Sequence, residues 1–473
     1  MRISKATGVF IAFLSVLMLS SCGGGMSSSS TGSGGQQMAS VFTVGTDAPL
    51  PAVVSCQVLV SGVTLNNGTT NVPVLNTPQT VDFAQLSGLH QLLDLTAVPV
   101  GTYTSATVTI SNPVLGFIDT SVSPPVINTI NGTLQQNGMT VAQANVTVTF
   151  SSPLVLSNAD LVGLRMEFDL RQSLQVDGNG QVTGVINPTF EMALLNSTDA
   201  QVSIDDFDAG VVGVTGANTF TVQGPKGRQW MVQTDDNTIF DNPDEPISSF
   251  TTNTIVALSG TLDPVSHAID ASEVEVVSND GFYLGGLLTS VRPPAPQAAT
   301  QADLFVRTEL PAINGISDGQ IETLTLNGSE KYKIGHINNP LTILIFNNSA
   351  MAAGQRVSFA GTLNTTNGTT TLTPDRVVLR RQGQAGGWVP GSTVVLSGNA
   401  GSFQFTDQWT AGILLPSPLT VFTTNSTNFI NLSGLSALTG SQSIPVRVVG
   451  FVLFDPATQQ PVMVARSVEE LTD

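Results

Sequence analysis

Ile255-Val-Ala-Leu-Ser-Gly-Thr-Leu-Asp263 recurs twice further along the chain, as Val357-Ser-Phe-Ala-Gly-Thr-Leu-Asn364 and Val446-Arg-Val-Val-Gly-Phe-Val-Leu453. Each is an apolar run carrying one glycine, at 260, 361 and 450. A turn and a closing run follow in every copy: Glu273–Val277, Asp375–Leu379 and Arg466–Glu470. A glycine inside a strand marks a bulge or a sharp bend, and small closed barrels need such bends. Upstream, Thr234-Asp-Asp-Asn-Thr-Ile-Phe240 and Thr423-Thr-Asn-Ser-Thr-Asn-Phe429 share the spacing of their threonines and phenylalanine, whereas the middle copy diverges there and is lengthened around Arg292 to Ser317. Copies of roughly 75 to 100 residues are too long for solenoid units and read as domains in tandem. The pattern predicts small β-barrels of the oligonucleotide/oligosaccharide-binding type over 205–280, 281–385 and 390–473. Linkers are expected near 280–300 and 382–392, where Gly, Pro and Gln concentrate.

Period-two alternation dominates the region before the repeats. Ala106, Val108 and Ile110 share one face and Ser105, Thr107 and Thr109 the other. Val146, Val148 and Phe150, then Met166, Phe168 and Leu170, repeat the pattern, with turn chemistry at Leu65-Asn-Asn-Gly68 and Asp177-Gly-Asn-Gly180. One-sided strands at this spacing predict an antiparallel β-sandwich over 41–200. Short helices are expected only around 83–93 and 158–163. The fold class is therefore all-β: a sandwich followed by three barrels.

Three motifs in the sandwich region carry a resemblance: Thr46-Asp-Ala-Pro49, Val98-Pro-Val-Gly-Thr-Tyr-Thr104 and Leu164-Arg-Met-Glu-Phe-Asp-Leu170. They resemble a bacterial lipoprotein domain of unknown function, the family numbered 4382. The resemblance covers about a third of the chain; it implies an all-β fold and no known reaction. The glycine-strand copies are similar to a second family of unknown function, numbered 5666, often found in tandem on bacterial surface proteins. A fold name does not establish a ligand.

The amino terminus gives an address. Arg2 and Lys5 precede an apolar stretch over Gly8–Ser20 that is shorter than the about 20 residues a bilayer-spanning helix needs. It fits the hydrophobic region of a secretory signal over 1–21. Leu19-Ser-Ser-Cys22 resembles the lipobox of bacterial lipoproteins, which implies cleavage before Cys22 and acylation of that residue. Two or more acyl chains anchor a protein stably where one does not. Gly23 follows rather than Asp, which by the same resemblance implies sorting to the outer membrane. Residues 22–40, rich in Gly, Ser, Thr, Gln and Met, cannot bury a core and read as a flexible tether.

Composition narrows the partners. Hydrophobic residues make up 41% of the 473, but charged ones only 11%, against roughly 25% in ordinary globular proteins. The net charge of −18 removes the basic footprint of nucleic-acid binding. The membrane, through the lipid anchor, and a cell-surface protein or glycan are the expected partners.

Candidate chemistry is sparse. His90, His267 and His336 are far apart and lack zinc spacing. No Gly-x-Ser-x-Gly elbow occurs, and Gly224-Pro-Lys-Gly227 reads as a hairpin turn rather than a phosphate loop. Acidic residues cluster at Asp205, Asp206 and Asp208, and at Asp235, Asp236, Asp241, Asp244 and Glu245, without the spacing of a calcium loop. They read as solvated acidic segments. Asp47 reads as an Asx-type turn ending the first strand. Cys56 alternates with Val54, Val58 and Val60 and so reads as a buried thiol acting as a small hydrophobe. Trp230, Trp388 and Trp409 lie in or beside the repeats and could stack on sugars, although Trp230 alternates with Val232 and also reads as core. The expectation is a non-catalytic structural or interaction module without cofactor or metal, with carbohydrate binding second and a secreted hydrolase third.

Cys22→Ala is expected to block acylation and release the chain from membranes. A Cys22→Ala protein that stays with the membrane fraction through a carbonate wash would contradict the anchor.

Overall fold

The three glycine-bearing runs become the fourth strands of three separately hydrogen-bonded sheets. The computed structural model describes residues 37–471 apart from 49–52, 87–90, 120, 124, 179–180, 196–201, 225–228, 242–245, 264–267, 280, 336–341, 367–368, 399 and 408–413. The first barrel is built from Val202–Gly216, Thr219–Gln223, Gln229–Gln233, Ile255–Asp263 and Ala268–Ser278. Its strands pair in the order one-two-three-five-four-one, and the third runs parallel to the fifth. That closed five-stranded path is the oligonucleotide/oligosaccharide-binding type. The third barrel repeats it with Gln382–Pro390, Ala400–Asp407, Leu419–Thr423, Ser443–Asp455 and Gln460–Glu470. The second uses Phe282–Arg292, Gln301–Leu310, Ile321–Thr325, Arg356–Thr366 and Thr369–Leu379 in the same order. Among the described residues it has no ladder between its third and fifth strands, and Lys331–Ile334 pairs with the fifth instead.

The recurrent glycine has one physical cause. Each fourth strand shifts register at this residue, between Ser259 and Gly260, Ala360 and Gly361, and Val449 and Gly450. A Cβ would come within 2.2 Å of the Asp270 carbonyl oxygen at Gly260, and within 2.1 Å of those of Thr373 and Val464 at Gly361 and Gly450. The recurrent threonine serves the same bulge. Thr238 Oγ1 donates to the carbonyl of Ala271, the partner of Gly260, at 2.7 Å. Thr427 Oγ1 donates at 2.7 Å to Ala465, the partner of Gly450. Buried carbonyls need such partners, so the turn and the bulge are one device.

The sandwich faces a four-stranded sheet, in the order Phe190–Leu195, Leu161–Asp169, Met38–Ala48 and Gln91–Pro99, with a six-stranded one centred on Val53–Asn66 and Gly101–Asp119. Phe83, Phe168 and Phe190 meet in its core with ring centroids 4.7 to 6.1 Å apart. Tyr103 is buried and donates to the Pro99 carbonyl at 2.9 Å, stapling the corner between two strands. One ladder departs from the antiparallel expectation: Met38–Ala48 runs parallel to Leu161–Asp169, so Thr46, Asp47 and Ala48 lie in register with Glu167, Phe168 and Asp169. The first strand runs through Asp47 to Ala48. The helix expected at 83–93 shrinks to a single turn, Phe83–Gln85, and Gln91–Pro99 is strand. The other, at 158–163, gives way to a turn and the strand Leu161–Asp169. A four-residue helix appears at Leu170–Ser173, where Asp169 accepts from Gln172 N at 2.9 Å.

Three boundaries move. Strand begins at Met38 rather than 41, at Val202 rather than 205, and at Gln382 rather than 390. The linker expected near 280–300 is taken up by the second barrel's first strand, Phe282–Arg292, and the last shift likewise replaces an expected linker with the third barrel's first strand. Gly387 there admits a close approach rather than flexibility, since a Cβ would lie 2.3 Å from the Phe405 ring.

Residues from Gln37 onward form one compact unit, and the interfaces explain why. Phe42 and Leu195 of the sandwich pack into the first barrel's core. Val54 and Ile118 cover Phe305 of the second, and Arg307 donates to the Val54 carbonyl at 3.0 Å. Burial pulls the Arg307 guanidinium down to about 10, with Asp82 opposing the shift. Phe451, Leu453 and Val464 of the third barrel join the second barrel's core, while Arg447 pairs with Glu167 of the sandwich at 2.8 Å. Between the first two barrels, Glu275 and Arg380, each 2% exposed, pair at 2.9 Å.

Gly450→Ala is expected to cost about 1–3 kcal/mol through overpacking. Gly62→Ala, with no atom within 4 Å of its Cβ, should fall well below that in the same denaturant titration. Equal losses would contradict the bulge argument.

Candidate functional site

The sandwich and the first two barrels meet around an open cleft of about 760 Å³. Gln57 comes from the sandwich, Val212, Gln223 and Thr254 from the first barrel, and Glu309, Ser317 and Asp318 from the second. These positions follow from the folds just described: Glu309 lies near the end of the second barrel's second strand, and Thr254 directly precedes the first barrel's fourth. Thr254 is fully buried and its hydroxyl donates to Asn279 Oδ1 at 3.2 Å, which ties the rim of the first barrel together. Most of the polar lining is neutral amide and hydroxyl; Glu309 and Asp318 supply the charge. Burial pushes the Glu309 carboxyl above its ordinary value, the Ile313 N–H pulls it back, and the negative charge of Asp318 raises it further.

In barrels of this type the outer face of strands two and three is where extended ligands lie, and the three copies treat it differently. In the second barrel the sandwich covers it: Phe305 packs under Val54 and Ile118. In the third, Phe422 points away from its own core and packs against the second barrel. In the first, Gln223, Gln229 and Met231 are exposed, and Gln223 also lines the cleft. Gln223 therefore joins this exposed face to the cleft. Such a surface can hydrogen-bond a neutral, hydroxyl-rich ligand through amides and hydroxyls.

The residues singled out from sequence are not gathered there. Cys22, His90, His267, His336, Trp409, Asp244 and Glu245 lie outside the described residues. Cys56 is a fully buried thiol in the sandwich core, and its backbone N–H donates to Asp82 Oδ1 at 2.7 Å. Trp230 is half-buried against the first barrel's core, and Trp388, 39% exposed, stands on the third barrel's first strand. Asp235 shapes a turn: it accepts from the Asn237 side-chain amide at 3.1 Å and from the Asn237 and Thr238 backbone N–H groups at 2.9 and 3.0 Å, and these hydrogen bonds, the side-chain one foremost, hold its carboxyl below the ordinary range. Asp241 pairs with Lys333 and Asp208 is buried, so the acidic segment is partly structural rather than solvated. Among the described residues no three His, Cys, Asp or Glu side chains are placed to hold a metal. Gln223, Glu309 and Asp318 carry no local mark in the sequence; the run Ala302–Val306, apolar but for Asp303 and buried throughout, signals a strand covered from outside.

Among known families, the domain of unknown function DUF4382 matches residues 40–183, so the sandwich is similar to that domain over most of its length. No curated protein matches the chain. A solved structure titled "drosophila Unr CSD456" matches at 8% identity, covering 56% of this chain and 97% of its own, with a TM-score of 0.13, which is too low to bear on fold or ligand.

Glu309→Gln should stabilise the protein at neutral pH. The native carboxyl binds its proton more tightly than the unfolded one, so ionisation costs stability as pH rises from the unfolded value, roughly 4.3, through the higher native one. The variant's advantage should vanish below that window. An advantage that persists unchanged in acid would contradict the assignment.

Proposed function

We propose that this chain is a lipid-anchored bacterial envelope protein, held in the outer membrane through Cys22. On this reading its folded part is a rigid, non-catalytic platform for a cell-surface protein or glycan. The observation that carries the reading is the mutual burial of the four β-modules. Each barrel buries apolar or charged side chains against the sandwich or a neighbouring barrel. Modules joined this way hold binding surfaces at fixed separations, which suits a platform better than a flexible spacer. The tether over 22–40 and the lipobox resemblance at Leu19–Cys22 support the anchor. The three barrels support the kinship to the tandem surface repeats of the family numbered 5666.

The same reading leaves the chain without cofactor, metal or nucleic-acid partner, given its acidity and scattered histidines. A second reading, carbohydrate binding, is favoured by the uncharged Gln and Met face of the first barrel and by the exposed Trp388. Aromatic faces and amides are the usual means of holding a neutral sugar chain.

The test is made on the purified, delipidated mature chain. It should retain a cell-surface protein or glycan after cross-linking on intact cells, and should turn over no ester, peptide or glycoside substrate. Retention should fall when Gln223 and Gln229 are both changed to Ala. Turnover that disappears in Glu309→Gln or Asp318→Asn, with the fold intact, would overturn the platform in favour of a hydrolase.

A further inference from the structure

Lys333 of the second barrel reaches across to the first and meets two carboxylates there. Its amine is in contact with Asp241, which directly follows the short strand Ile239–Phe240. Glu275, on the first barrel's fifth strand and 2% exposed, lies 3.6 Å from Nζ. The backbone fixes all three. Asp241 N donates to the Val274 carbonyl at 3.1 Å, which holds it beside Glu275. Lys333 is paired in register with Val378, two residues before Arg380. Arg380 in turn grips the other oxygen of Glu275 at 2.9 Å.

The state of the amine is the informative feature. The Lys333 stem is a third exposed, but Nζ itself is sealed from solvent and makes no hydrogen bond among the described residues. A sealed ammonium normally directs three hydrogen bonds at its acceptors, and contact with two carboxylates that gives none of good geometry is costly. A neutral nitrogen bonded to carbon has no such need. Close, fixed placement of amine and carboxyl also supplies the effective concentration, on the order of 10⁵–10⁸ M, that drives condensation within a folded chain.

We propose that Lys333 and Asp241 are joined by an amide bond that the folded chain forms by itself, with Glu275 as the proton relay. Glu275 takes a proton from the ammonium and passes it to the Asp241 carboxyl. The Nζ lone pair then attacks Cγ of Asp241, the N–Cγ bond forms, the Cγ–Oδ bond breaks, and that oxygen leaves as water. The ammonium's three hydrogens are divided as one on the amide and two on the water, and no oxidant or co-reactant is needed. The bond welds the first barrel to the second at a point where they already share the Glu275–Arg380 pair.

The test is peptide mass analysis of the full mature chain, unfolded and digested. The wild type should yield one branched peptide that joins the segments around Asp241 and Lys333, lighter than their sum by one water. Lys333→Arg, which keeps the positive charge, and Asp241→Ala should each lack it. Glu275→Gln should slow its formation by about a hundredfold, the usual share of a general acid–base group. Separate linear peptides from the wild type, with cleavage after Lys333, would overturn the proposal and leave an ordinary ion pair. A branch that persists in Lys333→Arg would overturn the residue assignment, and unchanged formation in Glu275→Gln would overturn the relay.

Discussion

The buried Arg380–Glu275 pair is the constraint on which the arrangement of the barrels depends. Two charges at 2% exposure cannot be left without each other, because removing one partner of such a pair costs roughly 3–5 kcal/mol. The chain has only 16 basic residues, and it commits Arg307, Arg376, Arg380 and Arg447 to contacts between modules. A protein of net charge −18 would otherwise push its modules apart. Arginine suits this task, since its fork can serve a carboxylate and a carbonyl at low hydration cost.

Within each barrel the organising device is local and was legible in the sequence. Gly260, Gly361 and Gly450 recur because a backbone carbonyl occupies the space a Cβ would need. Thr238 and Thr427 recur because the bulge exposes a carbonyl that a threonine hydroxyl can reach. Both requirements return with each copy of the bulge, so they leave a recurring pattern in the chain. The alternation of Met166 and Phe168, both fully buried, is legible for the same reason.

What was not legible depends on distant partners. Alternation gives the buried face of a strand but not its neighbour's direction, so the parallel ladder between Met38–Ala48 and Leu161–Asp169 left no mark. Gly383 and Gly387 look like linker chemistry, yet they sit in a strand where an aromatic ring lies close. The cleft is assembled from Gln57, Gln223 and Glu309, residues with nothing in their local sequence to link them. Phe305 could have been suspected, because the unbroken apolar run Leu304–Val306 signals burial on both faces.

The central claim, that the sandwich and barrels act as one body, is tested most directly by calorimetric unfolding of the mature chain. The account predicts a single transition whose calorimetric and van't Hoff enthalpies agree, and its separation into several transitions in Arg380→Ala combined with Arg447→Ala. Several independent transitions in the wild type, unaffected by those substitutions, would contradict it.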